Sequence, residues 1–231
     1  MPKVAIVAAL EREVSGLIRN WNRVEQKHEG RRFTFFERDE MVLVCGGIGV
    51  GAARRAAEAV IALYRPTLVQ SVGFAGALDA SLRVGDLVTP SVVIDARDGS
   101  RIDIAGGEGV LVTFMAVAGA EQKIKLAHAY GAQAVDMEAS AVLAAARTHG
   151  IAFGATKAIS DEFDFEMPGM DRFIDAEGRF RTLSFVAFAA LRPWLWSRVA
   201  TLSSNSSQAA KPLAAQLEHF LLEATRRYES V

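Results

Sequence analysis

Two acidic residues that close apolar runs are the first candidates for chemistry in this chain. Ala134-Val135-Asp136-Met137-Glu138 ends a short apolar run in an acid, and Ile151 to Ile159, with Lys157 as its one charge, ends in Ser160-Asp161. Between them, Ala139 to His149 has an alanine-rich helical pattern that Gly150 breaks. Strand, helix, strand of this kind belongs to a parallel sheet, where ligands bind at the carboxyl ends of the strands. Glu138 and Asp161 are therefore expected to face one pocket from adjacent strand ends. A carboxyl at an apolar strand end has its pKa raised by desolvation, so Asp161 suits a proton donor. Glu138 suits accepting hydroxyl hydrogen bonds and placing negative charge beside a cation. Plainer readings exist: Ser160-Asp161 as a helix N-cap, and Glu138 as an acid favoured by a helix dipole. A third carboxylate follows the first apolar run, where sequence physics alone leaves Glu11 and Glu13 nearly indistinguishable. Asp136 alternates to the opposite side of its strand and reads as structural.

These side chains need a frame. Residues 3–10 read as a buried strand and Glu11 to Asn20 as a helix with Val14, Leu17 and Ile18 on one face. Arg32 to Glu37 and Met41 to Val44 read as strands joined by the Arg38-Asp39-Glu40 turn. Gly46-Gly47-Ile48-Gly49-Val50-Gly51 then opens a helix over Ala52 to Tyr64. Glycines there let a backbone approach a ligand and leave helix N–H groups free for an anion, although the spacing is not that of a dinucleotide loop. Thr67 to Val72 is another strand, closed by Gly73-Phe74-Ala75-Gly76. Val110 to Val117 is apolar, and Ala120 to Tyr130 forms a helix after a polar connection from Asp95 to Gly109. The alternation predicts a single α/β domain, residues 1–231, with a mostly parallel, mixed, twisted sheet and helices on both faces.

After Asp161 the texture changes. Glu162 to Gly178 reads as a loop able to form a lid, and Phe180 to Leu191 and Pro193 to Leu202 as short aromatic helices. Ser203 to Ser207 reads as a polar break or cap. Lys211 to Tyr228 reads as an amphipathic helix, with Pro212 in its first turn and Leu213, Leu217, Phe220, Leu221 and Ala224 along one stripe.

Composition removes several classes. A net charge of −1 with interspersed signs gives no nucleic-acid surface. The single Cys45 rules out an internal disulfide and fits a reducing compartment. The first apolar run is too short for a signal peptide, and Arg192, Pro193 and Arg198 interrupt the apolar stretch Leu183 to Leu202, so a spanning helix is not expected. The cytoplasm is the default location. His28, His128, His149 and His219 show no ligand spacing, and neither a metal nor another cofactor is expected.

Taken together, the motifs resemble a known family. Ala8-Ala9-Leu10-Glu11-Arg12-Glu13-Val14, Gly47-Ile48-Gly49, Val72-Gly73-Phe74-Ala75-Gly76, Leu82-Arg83-Val84-Gly85-Asp86, Val135-Asp136-Met137-Glu138-Ala139 and Ala158-Ile159-Ser160-Asp161 occur in the order and spacing of the nucleoside phosphorylase and nucleosidase superfamily. That superfamily includes the methylthioadenosine/S-adenosylhomocysteine nucleosidases. Within it the chain looks most like the short branch associated with hopanoid biosynthesis. The shared features are the compact stretch from Asp86 to Val110, the Ala120-Glu121-Gln122-Lys123 helix start and a tail containing Asp175-Ala176-Glu177-Gly178-Arg179. The branch is linked to releasing adenine from an adenosyl-hopane intermediate.

The resemblance implies cleavage of the N-glycosidic bond of a purine nucleoside, a small-molecule substrate, by water. Asp161 would protonate purine N7, Glu138 would hold the ribose hydroxyls with Met137 against the sugar, and Glu13, chosen over Glu11 by family position, would activate water. Ser160, Ile48, Gly76, Phe74 and Val117 complete the expected binding residues. Phosphorolysis is the runner-up, and a nucleoside-binding protein without catalysis is the third reading. Family phosphorylases place an arginine and a serine around the Val-Gly-x-x-Gly turn, where this chain has Ser71 and Phe74, which favours water. Other departures are the absence of an aromatic in Ala116-Val117-Ala118, for which Phe163 or Phe165 could substitute, and Lys157 in place of the usual arginine. A homo-oligomer, in the first instance a dimer, is expected. The aromatic tail could wall a bulky 5′ substituent or touch a membrane surface weakly.

Overall fold

The computed structural model describes residues 4–167 and 169–229, the last nine of these by backbone only. Lys3, Pro168 and the side chains of Leu221 and Ala224, which the expectations above touch, lie outside that description.

The apolar run after the N-terminus forms β1 (Val4–Ala8), every residue of it buried. It lies between two parallel neighbours, β4 (Met41–Cys45) and β5 (Leu68–Ala77). Outside β4 come β3 (Arg31–Arg38) and β2 (Asn22–His28), both antiparallel. The sequence reading contains no β2, because its polar residues are exposed or half-buried and carry no apolar alternation. Backbone pairing with β3, not burial, makes it a strand.

The sheet forks at β5. Leu68 to Ser71 pair with β1, while further along the same edge Gly76 and Ala77 pair antiparallel with β10 (Ala134–Asp136). The other edge is occupied along nearly its whole length by β11 (Ala152–Asp161), in parallel. β6 (Leu87–Val88) closes that side, and β9 (Val110–Thr113), β7 (Val92–Asp95) and β8 (Arg101–Asp103) continue beyond β10. Glu138 and Asp161 therefore do not sit at the ends of adjacent strands. Gly76 of β5 lies between, with Val135 of β10 as its partner on one side and Asp161 of β11 on the other.

Helices cover both faces, as expected for such a sheet. On one, the alanine-rich α2 (Val50–Tyr64) and α4 (Ala139–Thr148) bury Ala53, Ala56, Ala57, Ala141, Ala145 and Ala146 against β1, β4 and β5. On the other, α1 (Glu11–Ile18) and α6 (Trp196–Glu229) pack Val14, Leu17, Leu213 and Leu217 against Ile6, Leu43 and Val72. α3 (Ala120–Tyr130) lies against β9 and β10.

α6 corrects the sequence reading. Ser203 to Ser207 is no break, and Pro212 lies in the helix interior, not in a first turn. Ser207 Oγ donates to the Ser203 carbonyl, and Ala209, Leu213 and Leu217 are fully buried on either side of the proline. Burial of that stripe outweighs the roughly 3 kcal/mol cost of an interior proline. The expected loop at 162–178 is also more ordered than a free lid. It contains a 3-10 turn at Met170–Phe173, a bridge from Ile174 to Phe180, and an apolar cluster of Met167 and Phe173 with Phe185 of α5 (Thr182–Ala190).

Candidate active site

The three candidate carboxylates converge on one cleft. Glu13, Glu138 and Asp161 line it together with Met137, Ser160, Ile48, Gly76, Phe74 and Val117, so each residue expected at the site is brought to it. Phe165 joins them from the lid and supplies the aromatic missing from Ala116-Val117-Ala118; Phe163 is not part of the wall.

Glycine permits the convergence at two positions. A Cβ on Gly76 would lie 2.8 Å from Asp161 Oδ2 and 3.2 Å from Lys123 Cε. One on Gly73, whose φ is +149°, would lie 2.8 Å from Glu13 Oε2. Any side chain at either position would displace an acid.

Burial separates Glu13 from Glu11. Glu11 points to solvent, whereas Glu13, in the same first turn of α1, is buried and accepts a hydrogen bond from Leu10 N–H at 3.3 Å. That burial pushes its pKa from 4.5 up to about 7, against the opposing pull of Lys157. Glu138 occupies the N-cap position of α4, but its carboxylate does not cap the helix. Oε1 instead accepts from Gly49 N–H at 2.7 Å, tying α4 to the glycine turn ahead of α2. Burial, and then the neighbouring Asp136, push Glu138 to about 7 as well, opposed by Lys157 and the Gly49 bond.

Asp136, read from alternation as turned away from the site, instead lines the cleft with Glu138, but its carboxylate is taken up by the fold. Oδ1 accepts from Thr113 Oγ1 at 2.7 Å and Oδ2 from Ala139 N–H at 2.8 Å. Lys157, fully buried beside Gly73 in the sheet, forms an ion pair with it at 2.8 Å and donates to Ser71 Oγ at 3.2 Å. Burial pulls the Lys157 ammonium down, but Asp136, Glu138 and Glu13 outweigh it, and its pKa is raised overall. One buried cation thus serves three carboxylates, and Asp136 takes most of it. Glu13 and Glu138 are left short of positive charge.

Asp161 differs from expectation. Its strand end is not simply apolar: Oδ2 is 2.5 Å from the Nζ of Lys123, and Oδ1 is 2.8 Å from Ser160 Oγ. Lys123, which the sequence reading placed only near the start of a helix and gave no role, is fully buried in the fold. The signal that could have found it is its spacing from Leu126, which places a lysine on the buried stripe of α3.

The tail closes over the glycine turn. Ile48 N–H donates to the Gly178 carbonyl at 2.7 Å, and Asp175 Oδ1 accepts from Glu177 and Arg179 N–H to shape that end of the lid. Asp171 Oδ1 accepts from Val117 N–H at 2.7 Å, latching the lid to the base of the cleft. No cluster of three His, Cys, Asp or Glu side chains suited to a metal occurs among the described residues.

Comparison with known proteins agrees with this arrangement. The model of the Phosphorylase superfamily matches residues 3–116 and 108–189. The chain belongs to the phosphorylase superfamily. This superfamily member is 25% identical over 213 residues to a 5′-methylthioadenosine/S-adenosylhomocysteine nucleosidase of an Exiguobacterium species, covering 75% of this chain and 91% of the relative. To the enzyme of the same name from Buchnera aphidicola it is 30% identical over 91 residues, so the chain spans about two-fifths (39%) of that curated relative's length. In fold it is similar to the S-adenosylhomocysteine nucleosidase of Streptococcus pyogenes in complex with 5-methylthiotubericidin. That match has a TM-score of 0.69 and 20% identity, and covers 95% of this chain and 96% of the other.

Proposed function

We propose that the protein is a purine nucleosidase that breaks the N-glycosidic bond of an adenosyl-type nucleoside with water and releases the free base. The observation that carries this reading is the charge deficit around the cleft. Glu13 and Glu138 are both raised to about 7 because burial and a single shared Lys157 leave them undercompensated. A ribosyl cation forming between them supplies the missing positive charge, so the attraction is stronger in the transition state than in the ground state. Asp161 hands a proton to purine N7, Glu138 accepts the ribose hydroxyls with Met137 against the sugar, and Glu13 takes the proton of the attacking water. Val117 and Phe165 flank the base.

Water is favoured over phosphate by charge and by space. At the Gly73 turn Phe74 occupies one position and Ser71 is held by Lys157. The adjacent wall carries Glu13, which repels a phosphate dianion. The named relatives are nucleosidases, which supports the same choice.

The 5′ substituent is read from a second cavity of about 290 Å³. It shares Arg12, Phe74, Met170, Leu202 and Ser206 with the first and continues past Phe180, Phe185 and Val199. An apolar 5′ group fits this wall, in keeping with the hopanoid-associated branch that the chain resembles. The test is to incubate the pure protein, with and without phosphate, with adenosine, methylthioadenosine, S-adenosylhomocysteine and 5′-alkylthioadenosines of increasing chain length. Free adenine without phosphate, with kcat/KM rising with chain length, is expected. Ribose-1-phosphate formed only with phosphate would select phosphorolysis, and no base from any substrate would leave a binding protein.

We also propose a weak contact with an anionic membrane surface, which the exposed face of α5 supports. Leu183, Val186, Ala187 and Ala190 form an exposed apolar stripe at helical spacing, and Leu191, Trp194 and Trp196 extend it. From residue 178 to 217 the chain has Arg179, Arg181, Arg192, Arg198 and Lys211 and no acid. Anionic headgroups would neutralise these cations. No helix among the described residues is long and apolar enough to cross a membrane. Co-sedimentation with phosphatidylglycerol vesicles but not with phosphatidylcholine vesicles, lost in Leu183→Glu, is expected. A dimer that Leu183→Glu dissociates would replace this reading.

A further inference from the structure

Lys123 has no part in the mechanism above, yet its placement is costly without a purpose. Its side chain is fully buried, and its ammonium has two protein partners, Asp161 Oδ2 at 2.5 Å and the Glu162 carbonyl at 2.6 Å. Lys123 also lines the cleft itself. Three elements are arranged around this contact: α3 presents the lysine, β11 ends in the aspartate, and Gly76 of β5 leaves the space both occupy. Burying an ion pair rarely adds stability, because desolvation costs about what the attraction returns. A pair held at the edge of a cleft, with one member already placed as the acid, is better explained by the proton that the acid must deliver.

We propose that Lys123 is the positioning residue that recharges Asp161, so that the acid acting on the purine is the Lys123–Asp161 pair. This rests on the nucleosidase reading. As the bond between the ribose anomeric carbon and the purine nitrogen breaks, its electron pair passes to the purine. Lys123 Nζ passes one proton to the Asp161 carboxylate at Oδ2, and the carboxyl so formed gives a proton to N7, which leaves Asp161 again a carboxylate and the lysine a neutral amine. The ribosyl cation takes hydroxide from water, whose other proton goes to Glu13. When the neutral base leaves, the amine regains a proton from solvent and Glu13 loses its own, which restores the starting state with one water consumed. Ser160, 2.8 Å from Oδ1, holds the carboxylate so that Oδ2 stays with the lysine. The bond to the Glu162 carbonyl fixes Nζ at the point where the lid begins.

The test compares two leaving groups. A purine needs a proton to depart, whereas the p-nitrophenolate of p-nitrophenyl β-ribofuranoside departs as an anion. Lys123→Met should lower kcat on the adenine nucleoside about 100-fold or more, the usual scale of acid catalysis, with KM changed less than about threefold. It should leave the nitrophenyl substrate within about fivefold of wild type, which also shows that the variant is folded. Lys123→Arg, which keeps a buried donor cation, should recover part of the loss. In a double variant, Lys123→Met should add little to Asp161→Asn, because the two act as one unit. Equal losses on both substrates, full activity of Lys123→Met on the nucleoside, or additive losses in the double variant would overturn the proposal. A wild-type protein that releases no base at all would instead sink the nucleosidase reading beneath it.

Discussion

Glu13 offers a perturbation whose effects on stability and on activity have opposite signs. Its pKa stands at about 7 in the folded protein against 4.5 as the ordinary value. At roughly 1.4 kcal/mol per tenfold, ionising it in the folded state costs ~3 kcal/mol. Between these two values the folded state binds more protons than the unfolded one, so stability is fully present below 4.5 and falls as pH rises through 7. Glu13→Gln keeps the shape, keeps an oxygen for the Leu10 N–H and removes the charge at every pH. Measured by urea unfolding, the variant should exceed wild type by about 2–3 kcal/mol at pH 8 and match it within about 0.5 kcal/mol at pH 4.5. Turnover should fall by about 100-fold or more, because water loses its base. A variant destabilised equally at both pH values would refute the reasoning, since it would mean that ionised Glu13 carries no cost in the fold.

The same charges set other outcomes. With Glu13 and Glu138 both near 7 and both needed ionised, kcat/KM should rise through about pH 7 and level off above it; a flat profile from pH 5 to 8 would contradict the assignment. Lys157→Met leaves Asp136 buried without its cation and should cost about 3–5 kcal/mol in thermal or chemical unfolding. It should also move the acidic limb of the activity profile upward, because Lys157 lowers both glutamates. Gly178→Ala would force a Cβ to 2.4 Å from the Ile48 carbonyl at a φ of +82°. It should detach the tail from the glycine turn and raise KM several-fold more than it lowers kcat, whereas unchanged kinetics would show that the tail plays no part in substrate binding.

The sequence was most legible where one residue type has one physical outcome. Apolar runs at 3–10, 67–72 and 151–159 became buried strands, and the alanine-rich segments became helices close against the sheet, because burial of small and branched side chains allows little else. Asp136 was misjudged by alternation: two residues before Glu138, it lines the same cleft, and only the fold shows that Lys157, Thr113 and the start of α4 occupy its carboxylate. Polar elements were less legible: β2 forms because β3 offers it hydrogen bonds, and α6 runs through five polar residues and a proline because its other face is buried.

The carboxylates were determined by the sequence, and their electrical surroundings by the tertiary structure. Glu138 and Asp161 were marked by position at the ends of apolar runs, a local property. Which cation stands beside each is not local. Lys157 is 21 residues from Asp136 in sequence, and Lys123 is 38 residues from Asp161; each pair exists only because the sheet forks at β5 and Gly76 leaves room for its neighbours. The choice between Glu11 and Glu13 was open for the same reason: both lie in the first turn of α1, and its orientation against β5 and a glycine at 73 decide which one is desolvated. Ionisation depends on the distance and burial of groups brought together by folding, so the acids proposed to bear the chemistry could be picked out from the chain, while their electrical surroundings were decided only by the fold.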